Sequence, residues 1–225
     1  MDCNRPRAVP DSGAGTDSRE SVVLVNGLWL ADPALWLLAR RLRRAGFRVY
    51  SFSYPSVRQD LRANAARLHD FLAHVPGEVV HFVGYSLGGL IIRTLFHMHP
   101  QQRPGRIVLL GSPQTGNRPA QSMLRSRLGS KLMGRSVAEL IAGVPQQWGW
   151  PARETGIIAG SRSVGLGRLV ARLAVPNDGS VAVEETSVPG PHAHLVLPVA
   201  HFAMLVAPVV ARQVAQFLRD GHFET

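Results

Sequence analysis

A serine flanked by glycines lies where an apolar run gives way to a helical pattern. The segment 78–83 predicts a buried strand, residues 90–96 predict a helix, and Gly84-Tyr85-Ser86-Leu87-Gly88 connects the two. Such a turn is so tight that the serine backbone is strained and the residues two positions away on either side must lack side chains. Ser86 is therefore predicted to be a nucleophile at the carboxyl edge of a sheet, at a helix N-terminus that favours developing negative charge. The alternative is a glycine-rich turn with an idle serine.

A serine nucleophile needs a base to take its proton and a carboxylate to orient that base. We favour Asp178 as the carboxylate because it lies in an Asp-Gly turn that can hold a short side chain rigidly; the alternative is an ordinary turn residue. Among the nine histidines, we favour His201, which follows an apolar strand and precedes a helix and so lies at the same edge as Ser86. His194, at the opposite end of that strand, is the alternative base.

Two backbone N–H groups must stabilise the oxyanion of the tetrahedral intermediate that this chemistry forms. One is predicted to come from Leu87, directly after the nucleophile. The other is predicted to come from Leu28, in preference to Trp29, in the turn after the first predicted strand. We expect the side chains of Trp29 and Tyr85 to contact substrate, and for Trp29 the alternative is packing in the core.

The elements that must position these groups alternate between apolar runs and amphipathic helices. Strands are predicted at 22–25, 48–52, 78–83, 106–110, 155–159 and 194–199, and helices at 33–45, 60–74, 90–96 and 202–219. Pro208 is expected to bend the last helix. Runs that are apolar throughout are typical of strands buried on both faces of a parallel sheet. The sequence therefore predicts an α/β fold, a doubly wound, mostly parallel sheet flanked by helices, with ligands at the carboxyl ends of the strands.

One domain is predicted over residues 21–225, after a disordered leader at 1–20 that is polar and has no apolar signal region. A small helical cap is predicted as an insertion at about 114–152. Its apolar residues recur at near-helical spacing, with basic residues between them: Met123, Leu124, Leu128, Leu132 and Met133. We favour the interpretation that these residues pack on the core. The alternative is a lid that borders the acyl pocket and touches lipid.

The composition limits the partners and the compartment. The chain has 225 residues and a formal net charge of +10, from 25 Lys and Arg against 15 Asp and Glu. The arginines are spread along the chain without an interleaved aromatic motif, so no nucleic-acid partner is expected. The basic charge then indicates either a solvated surface or attraction to an anionic membrane or substrate. Cys3 is the only cysteine, which predicts a reducing, cytoplasmic location without an internal disulfide, and no apolar stretch is long enough to span a bilayer.

The motifs together resemble the α/β-hydrolase superfamily, in its compact branch of bacterial lipases and esterases and of lipases similar to GPI-inositol deacylase. The resemblance extends from about Val22 to Leu218. Its motifs are Asn26-Gly27-Leu28-Trp29, Gly84-Tyr85-Ser86-Leu87-Gly88-Gly89, Leu110-Gly111-Ser112-Pro113 with Gly116, Asn177-Asp178-Gly179-Ser180-Val181, and His201. Asn26 and Tyr85 stand where such relatives usually carry histidine. The order Ser86, Asp178, His201 is the order of the triad in this superfamily.

This resemblance implies ester hydrolysis through an acyl-enzyme, without a metal or another cofactor. The sequence therefore predicts a serine carboxylesterase or lipase whose substrate is a small-molecule acyl ester or a lipid. The same site serves thioesterases, amidases and acyltransferases, which are the alternatives within enzymes. The alternative from another class is a non-catalytic protein that uses its basic cap to bind anionic lipid. Nothing in the residues indicates an oligomeric state.

Overall fold

The computed structural model of the chain describes residues 20–28, 35–143, 145–164, 173–188, 190 and 192–224. Its centre is a sheet of six parallel strands in the order β2-β1-β3-β4-β5-β6. The strands are β1 Glu20–Val25, β2 Arg48–Phe52, β3 Val79–Tyr85, β4 Ile107–Leu110, β5 Thr155–Gly160 and β6 Ala193–Leu197. The prediction of a doubly wound, mostly parallel sheet is confirmed, because strands lie where the apolar runs place them.

Seven α-helices occur in the described residues and cover both faces of the sheet. They are α1 Trp36–Arg44, α2 Leu61–Leu72, α3 Leu87–Met98, α4 Arg118–Leu124, α5 Arg127–Ile141, α6 Val183–Thr186 and α7 Pro208–Asp220. Helices α2, α3 and α5 pack in one apolar cluster on the first face, and α1 and α7 pack in a second cluster on the other. The sheet is therefore buried on both sides, as its continuous apolar strands require.

The last predicted helix is two separate elements, so the prediction that Pro208 bends one helix is wrong. A short 3₁₀ helix spans Phe202–Leu205, and α7 begins at Pro208. Proline is favoured at the first position of a helix, where its missing N–H would have no partner within the helix and its fixed φ suits the helix. The break separates the segment that follows β6 from the helix that covers the sheet.

The strand order places the predicted nucleophile at the topological switch point of the sheet. The chain runs from β1 outward to β2, then returns to the other side of β1 and continues through β3, β4, β5 and β6. The connections after β1 and β3 therefore diverge and leave a crevice at the carboxyl ends of two adjacent strands. All six strands are parallel, so they end at one edge of the sheet, which we call the carboxyl edge.

Several arginines bind backbone carbonyls at the opposite edge of the sheet and at helix ends. The guanidinium of Arg103 donates to the carbonyls of Leu72, the last residue of α2, and of Val75 and Gly77 just after it, at 2.7–2.8 Å. Arg153 donates in the same way to Gln102 and Gly105, and Arg106 donates to Leu218 and Arg219 at the end of α7. Part of the basic charge therefore satisfies carbonyls that helix ends leave without a partner.

The predicted leader and the prediction that no stretch spans a bilayer can be compared with the structure only over the described residues. Of the predicted leader, only Glu20 lies within the described residues, and it is the first residue of β1. Residues 1–19 lie outside them. In the part of the chain that the structure describes, no helix has the length and apolar character needed to cross a membrane.

A histidine lies inside β3, where it acts as a hydrogen-bond acceptor. The side chain of His81 is 2% exposed, and its Nδ1 accepts a hydrogen bond from the backbone N–H of Arg106 at 2.9 Å. Its Nε2 lies 3.5 Å from a carboxylate oxygen of Glu20. Burial lowers the pKa of His81 below its ordinary value, and the nearby Glu20 carboxylate opposes this shift. The folded chain therefore favours the neutral ring.

We expect His81 to make folding stability depend on pH. Because its pKa is lower in the folded chain than the unfolded value of about 6.5, its contribution is complete above that value and is lost as the pH falls below it. The variant His81→Asn keeps an acceptor for the N–H of Arg106 but cannot ionise. Tm values measured by circular dichroism should therefore fall more steeply on acidification for the wild type than for His81→Asn. Equal slopes for the two proteins would contradict this role.

Candidate active site

Ser86 has the strained backbone that a nucleophile at a strand-to-helix turn requires. Its φ is 52° and its ψ is −120°, and among the described residues no other non-glycine residue has a positive φ. The backbone N–H of Ser86 donates to the carbonyl of Leu110 at 2.9 Å, and α3 begins at the next residue. The turn therefore presents the half-buried serine at the carboxyl edge, directly at a helix N-terminus.

The glycines of the turn are required by close contacts of the backbone. A Cβ at Gly84 would lie 2.7 Å from both the Cα and the N of Gly89, and a Cβ at Gly88 would lie 2.2 Å from the carbonyl oxygen of Val25. Real Cβ atoms do not approach backbone atoms so closely, so neither position accepts a side chain without movement. The start of α3 therefore lies directly against the end of β1, as the glycine spacing predicts.

The turn after β1 lies against Ser86. A Cβ at Gly27 would lie 3.2 Å from the Cβ of Ser86. The turn is held from the other side by Tyr54, whose hydroxyl donates to the carbonyl of Asn26 at 2.9 Å, and by Ser53, whose Oγ accepts from the amide of Asn26 at 2.6 Å. Burial raises the pKa of Tyr54, so its hydroxyl stays a donor. Tyr54 and Ser53 are positioning residues that sequence analysis missed, because they act across 27 and 28 residues of chain.

Asp178 and His201 form a buried hydrogen-bonded pair. The Nδ1 of His201 lies 2.6 Å from Oδ2 of Asp178, and the backbone N–H of His201 also donates to the carbonyl of Asp178 at 2.9 Å. The other carboxylate oxygen, Oδ1, accepts from the N–H groups of Ser180 and Val181 at 2.9 and 2.7 Å. The carboxylate is therefore fixed by its own turn while it orients the imidazole, the arrangement that a base and its orienting acid need.

The connection after β4 lies between this pair and Ser86. Leu110 accepts a hydrogen bond from the N–H of Ser86, and the next residue, Gly111, has a φ of +52°. A Cβ at Gly111 would lie 3.0 Å from both the Oδ2 of Asp178 and the Nδ1 of His201. Ser86, Asp178 and His201 thus surround one short stretch of chain at the carboxyl edge. Within the described residues, no hydrogen bond joins the Ser86 hydroxyl to the imidazole, so proton transfer between them is part of the proposal below.

Tyr85 lies beneath the imidazole, in the core of the protein. Its ring is 2% exposed, and its centroid is 4.9 Å from the centroid of the His201 ring. Burial, with a smaller effect of the Asp178 charge, raises the pKa of Tyr85, and its buried hydroxyl has no hydrogen-bond partner among the described residues. The structure places the Tyr85 ring against the predicted base and beside Gly27, within the second apolar cluster. A contact with substrate stays a prediction.

The remaining predicted residues have the following places. Leu87 is the first residue of α3, where N–H groups have no partner within the helix, and Leu28 follows β1 in the turn that lies against Ser86. Their roles as oxyanion donors stay predictions. Trp29 lies outside the described residues. The alternative base His194 is within β6, and its Nε2 is 3.0 Å from the hydroxyl of Thr186.

Glu185 joins the loop of the acid to the cap, a role that sequence analysis did not assign. Its buried carboxylate accepts from the N–H of Ala182 at 2.9 Å and from the N–H of Arg118, at the start of α4, at 2.8 Å. Asn117, which caps α4, donates to the carbonyl of Ser180 at 2.9 Å. Burial raises the pKa of Glu185. The cap and the loop of Asp178 are therefore one connected unit, although about 60 residues separate them along the chain.

The cap consists of α4, α5 and a 3₁₀ helix at Pro145–Gln147. Among its apolar residues, Met133 is buried in the core, and Met123 and Leu124 pack against it, whereas Leu128 and Leu132 are exposed. The favoured interpretation, packing on the core, therefore describes only part of the cap. Within the described residues, no group of histidine, cysteine, aspartate and glutamate side chains could hold a metal ion.

Comparison with known proteins gives a family and a fold. A family described as "Alpha/beta hydrolase family" matches residues 22–220. The fold is similar to that of the mature lipase of Bacillus licheniformis, with a TM-score of 0.71 and 18% identity over 94% of this chain and 95% of that one. A carboxyl esterase from a metagenome has a TM-score of 0.65 and 16% identity over 88% of this chain and 69% of that one. A pyrethroid hydrolase of Sphingobium faniae has a TM-score of 0.58 and 15% identity, over 89% and 98%. No curated protein matches the sequence.

We expect Gly84→Ala to destabilise the turn at Ser86. The new methyl group would lie 2.7 Å from backbone atoms of Gly89, and overpacking of this kind costs about 1–3 kcal/mol of unfolding free energy. Gly149→Ala is the matched control, because a Cβ there would have no heavy atom within 4 Å. Urea denaturation should show the loss for Gly84→Ala and a change within about 0.5 kcal/mol for Gly149→Ala. Equal stability of the two variants would show that the close contact at residue 84 is not a constraint.

Proposed function

The chain belongs to the alpha/beta hydrolase family, and from this membership we propose that it is a serine hydrolase that cleaves carboxylic acyl esters through Ser86, Asp178 and His201. The reaction proceeds through an acyl-enzyme on Ser86 and uses no metal. The substrate is an ester with an apolar acyl chain, of the esterase or lipase class.

The observation that carries this proposal is the strained turn at Ser86 beside a buried pair of imidazole and carboxylate. A φ of 52° at a non-glycine residue has a conformational cost that a merely structural turn would avoid by using glycine. The 2.6 Å contact between His201 and Asp178 lies at the same edge of the sheet. A strained serine and an oriented imidazole near each other are what nucleophilic catalysis of acyl transfer needs.

In the first half of the reaction, the Oγ of Ser86 attacks the ester carbonyl while the Nε2 of His201 takes the serine proton. Asp178 holds the proton on Nδ1, so that Nε2 is the free acceptor, and it stabilises the imidazolium that forms. The tetrahedral intermediate then collapses. The bond to the alcohol breaks, the alcohol oxygen takes the proton from Nε2, and the acyl group remains on Ser86.

In the second half, water replaces the alcohol and the same steps run with water as the nucleophile. His201 takes a proton from the water, the hydroxide attacks the acyl carbonyl, and collapse returns the proton to Ser86 with release of the carboxylic acid. In both halves the oxyanion is stabilised by the N–H groups of Leu87 and Leu28. Because these donors belong to the backbone and the two turns pack together, their positions do not depend on side-chain rotamers.

The choice of ester substrates is supported by the family and by the neighbours in fold, which include a lipase and a carboxyl esterase. In α4, Met123 and Leu124 pack toward the core rather than into solvent, which is consistent with an acyl chain as one part of the substrate. The same triad cleaves thioesters and amides in other proteins of related fold, so matched oxygen esters and thioesters form one arm of the test below.

We expect Ser86→Ala to abolish both turnover and covalent labelling. Removal of a triad nucleophile typically costs on the order of 10⁴–10⁶ in kcat. The measurements are hydrolysis of p-nitrophenyl esters of increasing chain length, hydrolysis of matched thioesters, and labelling by a fluorophosphonate probe. The proposal predicts turnover of the oxygen esters and labelling for the wild type, and neither for Ser86→Ala.

Two outcomes would overturn parts of this assignment. Absence of activity from the wild type on oxygen esters of every chain length would exclude the proposed reaction, and the absence of thioester hydrolysis and of labelling as well would favour a non-catalytic role. Labelling that survives in His201→Ala but is lost in His194→Ala would show that the base is His194, inside β6, rather than His201.

We expect Asp178→Asn to leave the fold intact and to remove most of the activity. The amide oxygen can still accept from the N–H groups of Ser180 and Val181, whereas the amide nitrogen faces His201 and imposes the tautomer with its proton on Nε2. When the base is held in the wrong tautomer, kcat falls by a factor on the order of 10⁴. Steady-state kinetics should show this loss while the Tm stays close to that of the wild type. Activity within about tenfold of the wild type would exclude Asp178 as the orienting acid.

A further inference from the structure

Among the described residues, the large exposed apolar side chains lie on segments at the carboxyl edge of the sheet. They are Trp36 after β1, Leu128 and Leu132 after β4, Val164 and Val175 after β5, Val196 near the end of β6, and Phe202 and Val206 after β6. Among the described residues, the turns at the opposite edge contribute none of them. This edge is also the edge that carries Ser86 and His201. Clusters of exposed apolar side chains mark interaction surfaces, whereas isolated ones are ordinary; two of these residues, Leu128 and Leu132, lie on the same helix.

Helix α5 contributes the most exposed leucine of this edge and is divided by a kink. Gly134 has a φ of 76° and a ψ of −177°, which are not helical values, and a Cβ there would lie 2.4 Å from the carbonyl oxygen of Val57. After the kink, the Oγ of Ser136 donates to the carbonyl of Gln59 at 2.8 Å, and the carboxylate of Glu139 accepts from the N–H of Leu61 at 2.8 Å. The second half of α5 is therefore tied to the connection between β2 and α2.

Most residues in the first half of α5, residues 127–132, are exposed to solvent, and we call this segment the exposed half. Leu128 is 70% exposed and Leu132 is 45% exposed. They are four residues apart and so lie on the same side of the helix. Arg127 and Lys131 are exposed beside them, again four residues apart, and Gly129 is the only buried residue in this half. An apolar stripe bordered by cations is the pattern of a helix that lies in the plane of a membrane interface.

The charged residues in the sequence around the exposed half of α5 are all basic except for those that are already engaged. Residues 118–138 contain five basic residues and no acidic one. Among the described residues, the next acids along the sequence are engaged, because Glu139 accepts from Leu61 and Glu154 pairs with Arg106; Glu184, which is distant in sequence, pairs with Arg118. The arginines at the opposite edge donate to backbone carbonyls instead. The exposed half of α5 therefore presents its cations to solvent, where a surface of negative charge can attract them.

We propose that the exposed half of α5 docks this protein onto a membrane surface that contains anionic phospholipid. Leu128 and Leu132 enter the boundary between headgroups and acyl chains, while Arg127 and Lys131 contact the lipid phosphates. Because α5 lies along the carboxyl edge, docking turns the site of Ser86 toward the membrane. The docking itself does not depend on the proposed function. The further consequence, that the ester substrate is part of the membrane surface, does rest on it.

The binding test uses the full chain carrying Ser86→Ala, so that it does not depend on catalysis. Flotation is measured with vesicles of phosphatidylcholine alone and of phosphatidylcholine mixed with phosphatidylglycerol. The expected result is binding to the mixed vesicles, weakened by salt and absent with phosphatidylcholine alone. Arg127→Gln with Lys131→Gln should weaken binding by about fivefold for each residue, and Leu128→Ser with Leu132→Ser should weaken it by at least about tenfold.

The matched control removes the same charge from the opposite face of the sheet. Arg44→Gln with Arg212→Gln changes two exposed arginines on α1 and α7, and this variant should keep most of the binding. Equal losses in the two charge variants, or equal binding to both kinds of vesicle, would overturn the proposal. A dimer in the absence of lipid that Leu128→Ser with Leu132→Ser converts to a monomer would also overturn it, because a second copy would then be the partner of α5.

A second experiment distinguishes failure of the docking proposal from failure of the proposed function. With Ser86 intact, the leucine variant should hydrolyse a short, soluble ester as fast as the wild type does, and an ester embedded in phosphatidylglycerol vesicles more slowly. Absence of activity on the soluble ester in the wild type would contradict the proposed function and leave the flotation result valid. Equal activity of both proteins on the embedded ester would contradict docking as a route to substrate.

Discussion

The close approach of α3 to the end of β1 is the constraint on which the site depends. Gly84 and Gly88 allow backbone atoms to lie closer together than any side chain would permit, and Ser86 between them takes a strained φ as a result. The strain is held because Ser86 is hydrogen-bonded to the end of β4 and because α3 is packed into the core along most of its length. The sheet and the helix layer together therefore fix the position of Ser86, which carries the hydroxyl.

A second set of contacts joins the other two residues of the proposed triad, Asp178 and His201, to separate parts of the chain. His201 is bound to Asp178 through both its ring and its backbone N–H, so neither residue can move without the other. The loop of Asp178 is in turn bonded to the start of α4 through Glu185 and Asn117. Tyr85 fills the space beneath the imidazole. The result is that α4, Asp178 and His201 belong to one hydrogen-bonded framework at the carboxyl edge.

Sequence analysis predicted what depends on local pattern and missed what depends on long-range contact. The parallel sheet follows from continuous apolar runs, and the turn at Ser86 follows from two glycines. Asp178 is indicated by its Asp-Gly turn and His201 by its place after an apolar strand, and both signals are local. Tyr54 and Glu185 were missed because their partners are distant along the chain and a tyrosine or a glutamate has no spacing that indicates such a contact. Pro208 was misinterpreted because proline both bends and begins helices, and tertiary context decides between the two.

The use of arginine throughout this chain has a practical consequence. Guanidinium groups contact two or three carbonyls at once, as Arg103 does, which a lysine ammonium on its flexible stem does less well. Lys131 is the only lysine in the sequence, and it is exposed on α5. Apart from the terminal amine, a reagent specific for primary amines therefore has a single target. A fluorophore attached in this way would report on the cap alone.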